Sequence, residues 1–285
     1  MTNQTDQSER WVVVTGASSG IGRCVALGLQ QQGYRVLASA RRREDLHQLA
    51  AAGLVPIALR LEDSASVNAA IAIILETCHG DLYGLVNNAA YGQPGAVEDL
   101  SRSALEQQFA VNLFGTHQLT QGLLPALHQK QGGRLISISS VLGLVAFPWQ
   151  GAYNASKFAL EGLTDTLRLE LRGSNVQVSL IEPGPIRSAF RRRALSAFDE
   201  QIGAGASRHR HHYERVCAYY AATDHPTPFT AGPEAVLKRV LHALSAERAQ
   251  PRYAVTLPTY VLGFCRRVLP TRWLDALLHR LGAMR

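Results

Sequence analysis

Tyr153 and Lys157, four positions apart in the stretch YNASK, could carry proton-transfer chemistry. The surrounding GAYNASKFALEGL has helical apolar spacing at Phe158, Leu160 and Leu163, which puts the pair on one helical face. A free tyrosine has a pKa of about 10, and bringing it to neutrality costs roughly 4 kcal/mol. One ammonium about 4 Å away supplies roughly that much at an effective dielectric near 20. Lys157 is therefore expected to lower the Tyr153 pKa and make it a usable acid–base group. Taken alone, the pair is more simply read as an ordinary exposed pair on a helix. Two further residues change the balance. Ser140, at the end of the strand-like GRLISISS, lies thirteen residues before Tyr153, close enough for a short loop to return it beside the tyrosine. Asn112 falls in the middle of a helical stretch, where asparagine is mildly unfavourable, so a specific bond is expected there.

The loop TGASSGIG, with Gly16, Ser18, Ser19, Gly20, Ile21 and Gly22, joins a first strand to a first helix. Its glycines allow a tight turn and close backbone approach, and the helix start offers free N–H groups to a phosphate. The same residues fit G-x-S-x-G, a serine-hydrolase elbow centred on Ser18. That fold needs an earlier loop for its oxyanion N–H, and the few residues before Ser18 leave no room for it. The second strand runs into SARRRED, with Arg41 and Arg42 ahead of any acid. A guanidinium there suits a 2′-phosphate, whereas an acid would hold a free 2′-hydroxyl, so NADP(H) is the expected cofactor. A solvated basic turn is the plainer alternative.

These residues need elements to position them. WVVVT, YRVLASA, LVPIALRL, LYGLVNNAA, GRLISISS, VQVSLIEPG and RYAVT read as strands, with helical segments between them. Apolar strands alternating with helices predict an α/β fold, a doubly wound parallel sheet in one Rossmann-like domain over 1–258. At 285 residues, with 46% apolar and 18% charged residues, the chain can bury one substantial core. Residues 185–231 break the pattern and are expected to form a substrate lid. The polar first ten residues read as a frayed tail without a signal segment, and the widely spaced Cys24, Cys78, Cys217 and Cys265 as reduced thiols. No metal site is expected, and cytoplasmic location follows. The net charge of +7 is scattered over RRR at 41–43, RRR at 191–193, RHRHHYER at 208–215 and the C-terminal tail, which does not suit nucleic acid.

As a set, TGASSGIG, NNAA, Asn112, Ser140, Tyr153-x-x-x-Lys157 and PGPIRS resemble the short-chain dehydrogenase/reductase family over about 11–256. The downstream stretches SLIEPGPIR and LLPALH are most similar to its hydroxysteroid and retinol dehydrogenase-like branch, which includes bacterial NADP-dependent aldehyde reductases. The resemblance implies that Tyr153 exchanges a proton with the substrate oxygen and that Ser140 orients the carbonyl. It implies that Lys157 lowers the tyrosine pKa and holds the nicotinamide ribose, and that Asn112 anchors a water chain to Lys157. A positively charged nicotinamide would help Lys157. Asn88, Ala89 and Ala90 would flank the adenosine ribose. Pro183, Gly184, Ile186 and Ser188 would cover the nicotinamide. The family usually has glycine at Ala90 and threonine at Ser188. More seriously, Arg60 stands where an aspartate usually meets the adenine amino group. Leu61 could keep its backbone contact, while Arg60 either weakens binding or stacks on the adenine.

Tyr91, Val141, Leu142, Phe147, Trp149 and part of 185–230 are expected to line a pocket for a hydrophobic aldehyde, ketone or alcohol. Steroid, retinoid, fatty aldehyde and small aromatic aldehyde all remain open. A catalytically silent NADP-binding regulator is the non-enzyme alternative, and a homo-oligomer is possible. In the tail, 259–285, Val261, Phe264 and Val268 form one apolar stripe; Pro270 breaks the helix; Trp273, Leu274, Leu277, Leu278 and Leu281 form a second. Arg266, Arg267, Arg272, Arg280 and Arg285 take other faces. Such a tail could pack on its own domain, close the substrate entrance, pair with another subunit or lie on an anionic membrane. Packing near the substrate entrance is the expectation.

Overall fold

The computed structural model describes residues 10–129, 132–203, 207–221 and 229–283. The expected N-terminal tail, parts of the 185–231 segment and Arg285 lie outside the described residues. Among the described residues, seven strands form one parallel sheet: β1 (Trp11–Val14), β2 (Arg35–Ala40), β3 (Val55–Ala58), β4 (Leu82–Asn87), β5 (Gly133–Ile138), β6 (Val176–Glu182) and β7 (Arg252–Ala254). Their order is β3-β2-β1-β4-β5-β6-β7. The order reverses between β1 and β4, which leaves a crevice at the carboxyl ends of those strands where a ligand can enter.

Among the described residues, eleven α-helices surround the sheet: α1 (Gly20–Gln31), α2 (Arg43–Ala51), α3 (Ser64–Thr77), α4 (Arg102–Phe109), α5 (Thr116–Gln129), α6 (Gly151–Glu170), α7 (Phe190–Gln201), α8 (Arg210–Ala221), α9 (Glu234–Ser245), α10 (Leu257–Val268) and α11 (Thr271–Ala283). Alternation along β1 splits the core. Val12 and Val14 pack with α1 and α9 through Val25, Leu29, Val236 and Val240. Val13 faces α3 and α5 through Ile74, Leu119 and Leu123. Both faces are therefore covered, as a parallel sheet requires.

Asn112 is not in a regular α-helix. It sits in a π-helical turn, Ala110–Gly115, between α4 and α5. Such insertions re-aim a side chain within a helix. The segment after β6 holds α7 and α8. Tyr213 on α8 is buried; its hydroxyl donates to Asp99 and accepts from the Ala96 N–H at 3.0 Å. Trp149 has φ of 63°, a left-handed conformation for a bulky residue, and its ring packs against His209, His212 and Tyr213.

The two apolar stripes of the tail are used differently. Leu262, Leu274 and Leu278 are its buried anchors, in a cluster with Val141, Leu142, Val145, Phe147 and Tyr153. The stripe of Val261, Phe264 and Val268 faces outward, at 48%, 65% and 53% exposure, and Trp273 is 69% exposed. Helical periodicity finds an apolar stripe but cannot say which of two apolar faces meets the core. The four cysteines carry free thiols. Among the described residues, no helix is long and apolar enough to cross a membrane, and no group of three or more His, Cys, Asp or Glu side chains could hold a metal ion.

Candidate active site

A cleft of about 810 Å³ runs along the carboxyl ends of the strands, and every residue assigned to the cofactor from the sequence lines it. Its floor is the loop between β1 and α1. Gly16 has φ of 67°, and a Cβ there would lie 2.9 Å from the Ala89 Cα; at Gly22 it would lie 2.3 Å from the Gly16 carbonyl. Glycine is therefore required for the loop to close on the end of β4. Thr15 Oγ1 accepts from the N–H groups of Asn88 and Ala89, each at 2.9 Å, and Asn88 Nδ2 donates to the Thr15 carbonyl at 2.9 Å. Ser19, the residue before α1, makes no side-chain capping bond, so the first N–H groups of the helix keep their donor capacity toward the cleft. That donor set fits the pyrophosphate of a dinucleotide.

At the end of β2, Arg42 donates to both oxygens of Asp45, at 2.9 and 2.8 Å. Arg41 lines the cleft beside it. Arg60 neither stacks toward the cleft nor lines it; 61% of its side chain is exposed, and Nε pairs with Glu62 at 3.3 Å. Glu62 itself lines the cleft, with its Oε2 buried and without a hydrogen-bond partner among the described residues.

Toward the sheet centre, Ser140, Tyr153 and Lys157 line the same cleft. Ser140 lies two residues past the end of β5, and its Oγ accepts from the Leu142 N–H at 3.1 Å. Tyr153 and Lys157 share the first turns of α6 and are both buried. Lys157 Nζ donates to the Ile138 carbonyl at 2.8 Å and stands 5.8 Å from the Tyr153 ring centroid. Asn112 does not line the cleft. It is 2% exposed, accepts from the Tyr91 N–H, and donates to the Tyr91 carbonyl and to Ser156 Oγ, the last two at 3.0 Å. It therefore ties Tyr91 to α6 one residue before Lys157. Tyr91, Val141 and Leu142 line the main cleft, while Phe147 and Trp149 line a smaller adjoining cavity of about 250 Å³. The two cavities share Gln150, Tyr219 and Tyr220.

Residues 10–197 match the family model described as short chain dehydrogenase. The chain belongs to the short-chain dehydrogenase/reductase family. An uncharacterized oxidoreductase of Escherichia coli, YbbO, is 40% identical over 270 residues, covering 95% of this chain and 94% of that one. Human retinol dehydrogenase 8 is 31% identical over 245 residues, 84% of this chain and 79% of that one. Among solved structures, a family member from Burkholderia phymatum in complex with NAD is similar with a TM-score of 0.77 and 26% identity, covering 96% of each chain. A serine dehydrogenase complexed with NADP+ is similar with a TM-score of 0.73 and 26% identity, covering 87% of this chain and 95% of that one. The protein is thus an oxidoreductase of the short-chain dehydrogenase/reductase type.

Burial dominates the electrostatics of this short-chain dehydrogenase/reductase site. Burial pushes the Tyr153 pKa up to about 12, with the nearby Ser140 hydroxyl pulling the other way. The Lys157 ammonium, bonded to the Ile138 carbonyl, does not offset that burial. Burial brings Lys157 down to about 8, against the opposing pull of Glu161. At neutral pH the pair is a protonated tyrosine and a charged lysine.

Sequence reasoning missed three features. One helical turn past Lys157, Glu161 is buried with its carboxyl beside the Ser139 hydroxyl; burial pushes its pKa up to about 7. Arg252 on β7 gathers Glu161, Asp165 and Glu182, each at 2.5 Å. Such a network joins residues far apart in sequence and has no local signature. Phe190 on α7 lies against the Tyr153 ring, with centroids 5.3 Å apart. Arg193, one turn later, donates from Nη2 to Ser18 Oγ at 3.2 Å and to Ser19 Oγ at 2.7 Å. The RRR run at 191–193 is visible in the sequence, but nothing local says that one of the three reaches the glycine loop.

Proposed function

We propose that the protein is an NADP(H)-dependent reductase of hydrophobic aldehydes and ketones, and that it catalyses the reverse oxidation of the matching alcohols. The observation that carries this reading is the single cleft running from Arg41 and Arg42 to Ser140, Tyr153 and Lys157. Gly16, Ser18, Ser19, Gly20, Ile21 and Gly22 would hold the pyrophosphate; Asn88, Ala89, Ala90 and Leu61 the adenosine; Pro183, Gly184, Ile186 and Ser188 the nicotinamide. Glu62, with its partnerless buried oxygen, supplies the acceptor for an adenine amino group that Arg60 cannot. The bound cofactor supplies the hydride.

The chain's own residues do the rest. With its pKa at about 12, the Tyr153 Oη keeps its proton at neutral pH and can donate it to a carbonyl oxygen. The Ser140 hydroxyl donates to the same oxygen and fixes its direction. The Lys157 ammonium holds the ribose and favours the phenolate that remains after proton transfer. Asn112 sets the position of α6 and Tyr91. Val141, Leu142, Tyr91 and Phe190 exclude water from the carbonyl carbon. The α7–α8 segment acts as the substrate lid, and α10 and α11 brace it through the Leu262, Leu274 and Leu278 cluster. A panel of aldehydes and ketones, tested with NADPH and with NADH, measures this activity. NADPH binding with no oxidation across the panel would instead favour a catalytically silent binding protein.

The free thiols suit a reducing compartment such as the cytoplasm. The outward face of α10 and α11 suits an anionic lipid surface. Leu257, Tyr260, Val261, Phe264, Val268 and Trp273 are all about half exposed or more. Arg266, Arg267, Arg272 and Arg280 are exposed around them, against the one acid Asp275 on the two helices. Apolar side chains rimmed by arginine fit a bilayer interface better than a second copy carrying the same charge.

A further inference from the structure

One turn of α7 spans the two ends of the cleft: Phe190 lies on the Tyr153 ring, and Arg193 reaches the hydroxyls of Ser18 and Ser19. Four guanidiniums, Arg41, Arg42, Arg192 and Arg193, gather near the end of β2, and Arg193 feels the charge of the other three. The acids that face this group are Glu44 and Asp45, and Asp45 already spends both oxygens on Arg42. Two positive charges are left over. A phosphate monoester carries roughly that charge with the opposite sign at neutral pH, and three acceptor oxygens. The two serine hydroxyls that Arg193 now contacts are neutral acceptors, and a phosphate dianion would make a much stronger charge-assisted partner for the same fork.

We infer that Arg193 is a ligand of the cofactor's 2′-phosphate contributed by α7, so that occupancy of the phosphate site fixes Phe190 against Tyr153. The inference rests on the NADP(H) reading, and it adds to Arg41 and Arg42 a residue that lies about 150 positions later in the chain. It gives the protein a way to sense the phosphorylated dinucleotide at the substrate side. A nucleotide without the 2′-phosphate would leave α7 held by the serine contacts, the Arg191–Tyr219 contact and its apolar packing.

The test is equilibrium binding by titration calorimetry, with adenosine 2′,5′-bisphosphate and 5′-AMP as probes, on the full chain and on Arg193→Met and Arg193→Lys. In the wild type the bisphosphate should bind more tightly. Arg193→Met should weaken the bisphosphate by about 10- to 100-fold, the range for a hydrogen bond to a charged group, and leave 5′-AMP within about threefold. Arg193→Lys should recover part of the loss, which a merely structural role would not produce. Backbone hydrogen exchange over 190–201 should slow on adding the bisphosphate to the wild type, and not in Arg193→Met. If the wild type binds both probes equally, the NADP(H) reading itself fails. If the wild type prefers the bisphosphate and Arg193→Met keeps that preference, the Arg193 assignment alone is overturned. Equal losses for both probes, with the melting temperature unchanged, would move Arg193 to the 5′-phosphate and overturn the assignment too. Should Arg193→Met fold poorly, Arg193→Lys carries the comparison, and a bisphosphate preference as large as in the wild type together with unchanged exchange on ligand addition counts against the inference.

Discussion

Lys157 Nζ donates to the Ile138 carbonyl at 2.8 Å, and Tyr153, one turn earlier on α6, keeps a pKa raised to about 12. In this geometry the tyrosine is an acid at rest, which suits carbonyl reduction.

Tyr153→Phe should retain cofactor affinity within about threefold. Its kcat should fall by about 10²- to 10⁴-fold, the usual contribution of a positioned acid–base group. Stopped-flow binding of NADPH together with steady-state kinetics separates the two. Ser140→Ala should likewise lower kcat more than it weakens NADPH binding. Near-normal kcat in Tyr153→Phe would remove the phenol from the proton path.

Arg41→Asp should raise the KM for NADPH by about tenfold or more, because a charge-assisted contact is lost and a repulsion is introduced. The KM for NADH should change far less. Equal effects on both cofactors would take Arg41 out of the phosphate site.

Glu161 gives a pH signature. Its carboxyl titrates near 4.5 when free and at about 7 when buried in the fold. The folded state thus holds a proton that the unfolded chain releases between those values. The associated stability is present below about 4.5 and is lost as pH rises through about 7. Glu161→Gln cannot titrate, so its melting temperature should decline less across that window than the wild type's. The same substitution removes the pull that holds the Lys157 pKa up, so the alkaline fall in reductase kcat should begin at lower pH. Identical pH profiles for the two proteins would mean that Glu161 and Lys157 are not coupled.

The strand–helix alternation, the glycine loop and the Tyr153–Lys157 helix are legible because each is a local pattern with a period or a turn signal. Seven parallel strands and the clustering of Gly16, Asn88, Ser140 and Tyr153 follow from that alternation. What is not legible depends on tertiary contact. The π-helical turn at Asn112 is one extra residue in a helical pattern. The turning of Arg60 onto Glu62 depends on a side-chain choice two residues away. Arg193, Glu161 and Arg252 acquire their partners only when α6, α7 and β7 meet the sheet. The tail shows the limit most plainly, since its first stripe is apolar and still faces outward.

Two variants separate the faces of the tail. Leu278→Ala removes a buried anchor beside Phe147 and Tyr153, so it should cost about 2–5 kcal/mol and raise the KM for bulky carbonyls more than that for NADPH. The double variant Phe264→Ser, Trp273→Ser should keep its melting temperature and kinetics. It should lose co-sedimentation with phosphatidylglycerol-containing vesicles, while neutral phosphatidylcholine vesicles should bind neither protein well. A wild type that ignores anionic vesicles, or a dimer by light scattering that this double variant dissociates, would assign the face to another copy.

The NADP(H)-dependent carbonyl reduction is tested most directly by kcat/KM of the wild type on a panel of hydrophobic aldehydes and ketones, measured with NADPH and with NADH under the same conditions. Turnover of apolar carbonyls is expected, with NADPH favoured about tenfold or more, the scale of one charge-assisted phosphate contact. NADPH binding without turnover on any member of the panel, or turnover with NADH equal to or better than NADPH, would contradict it.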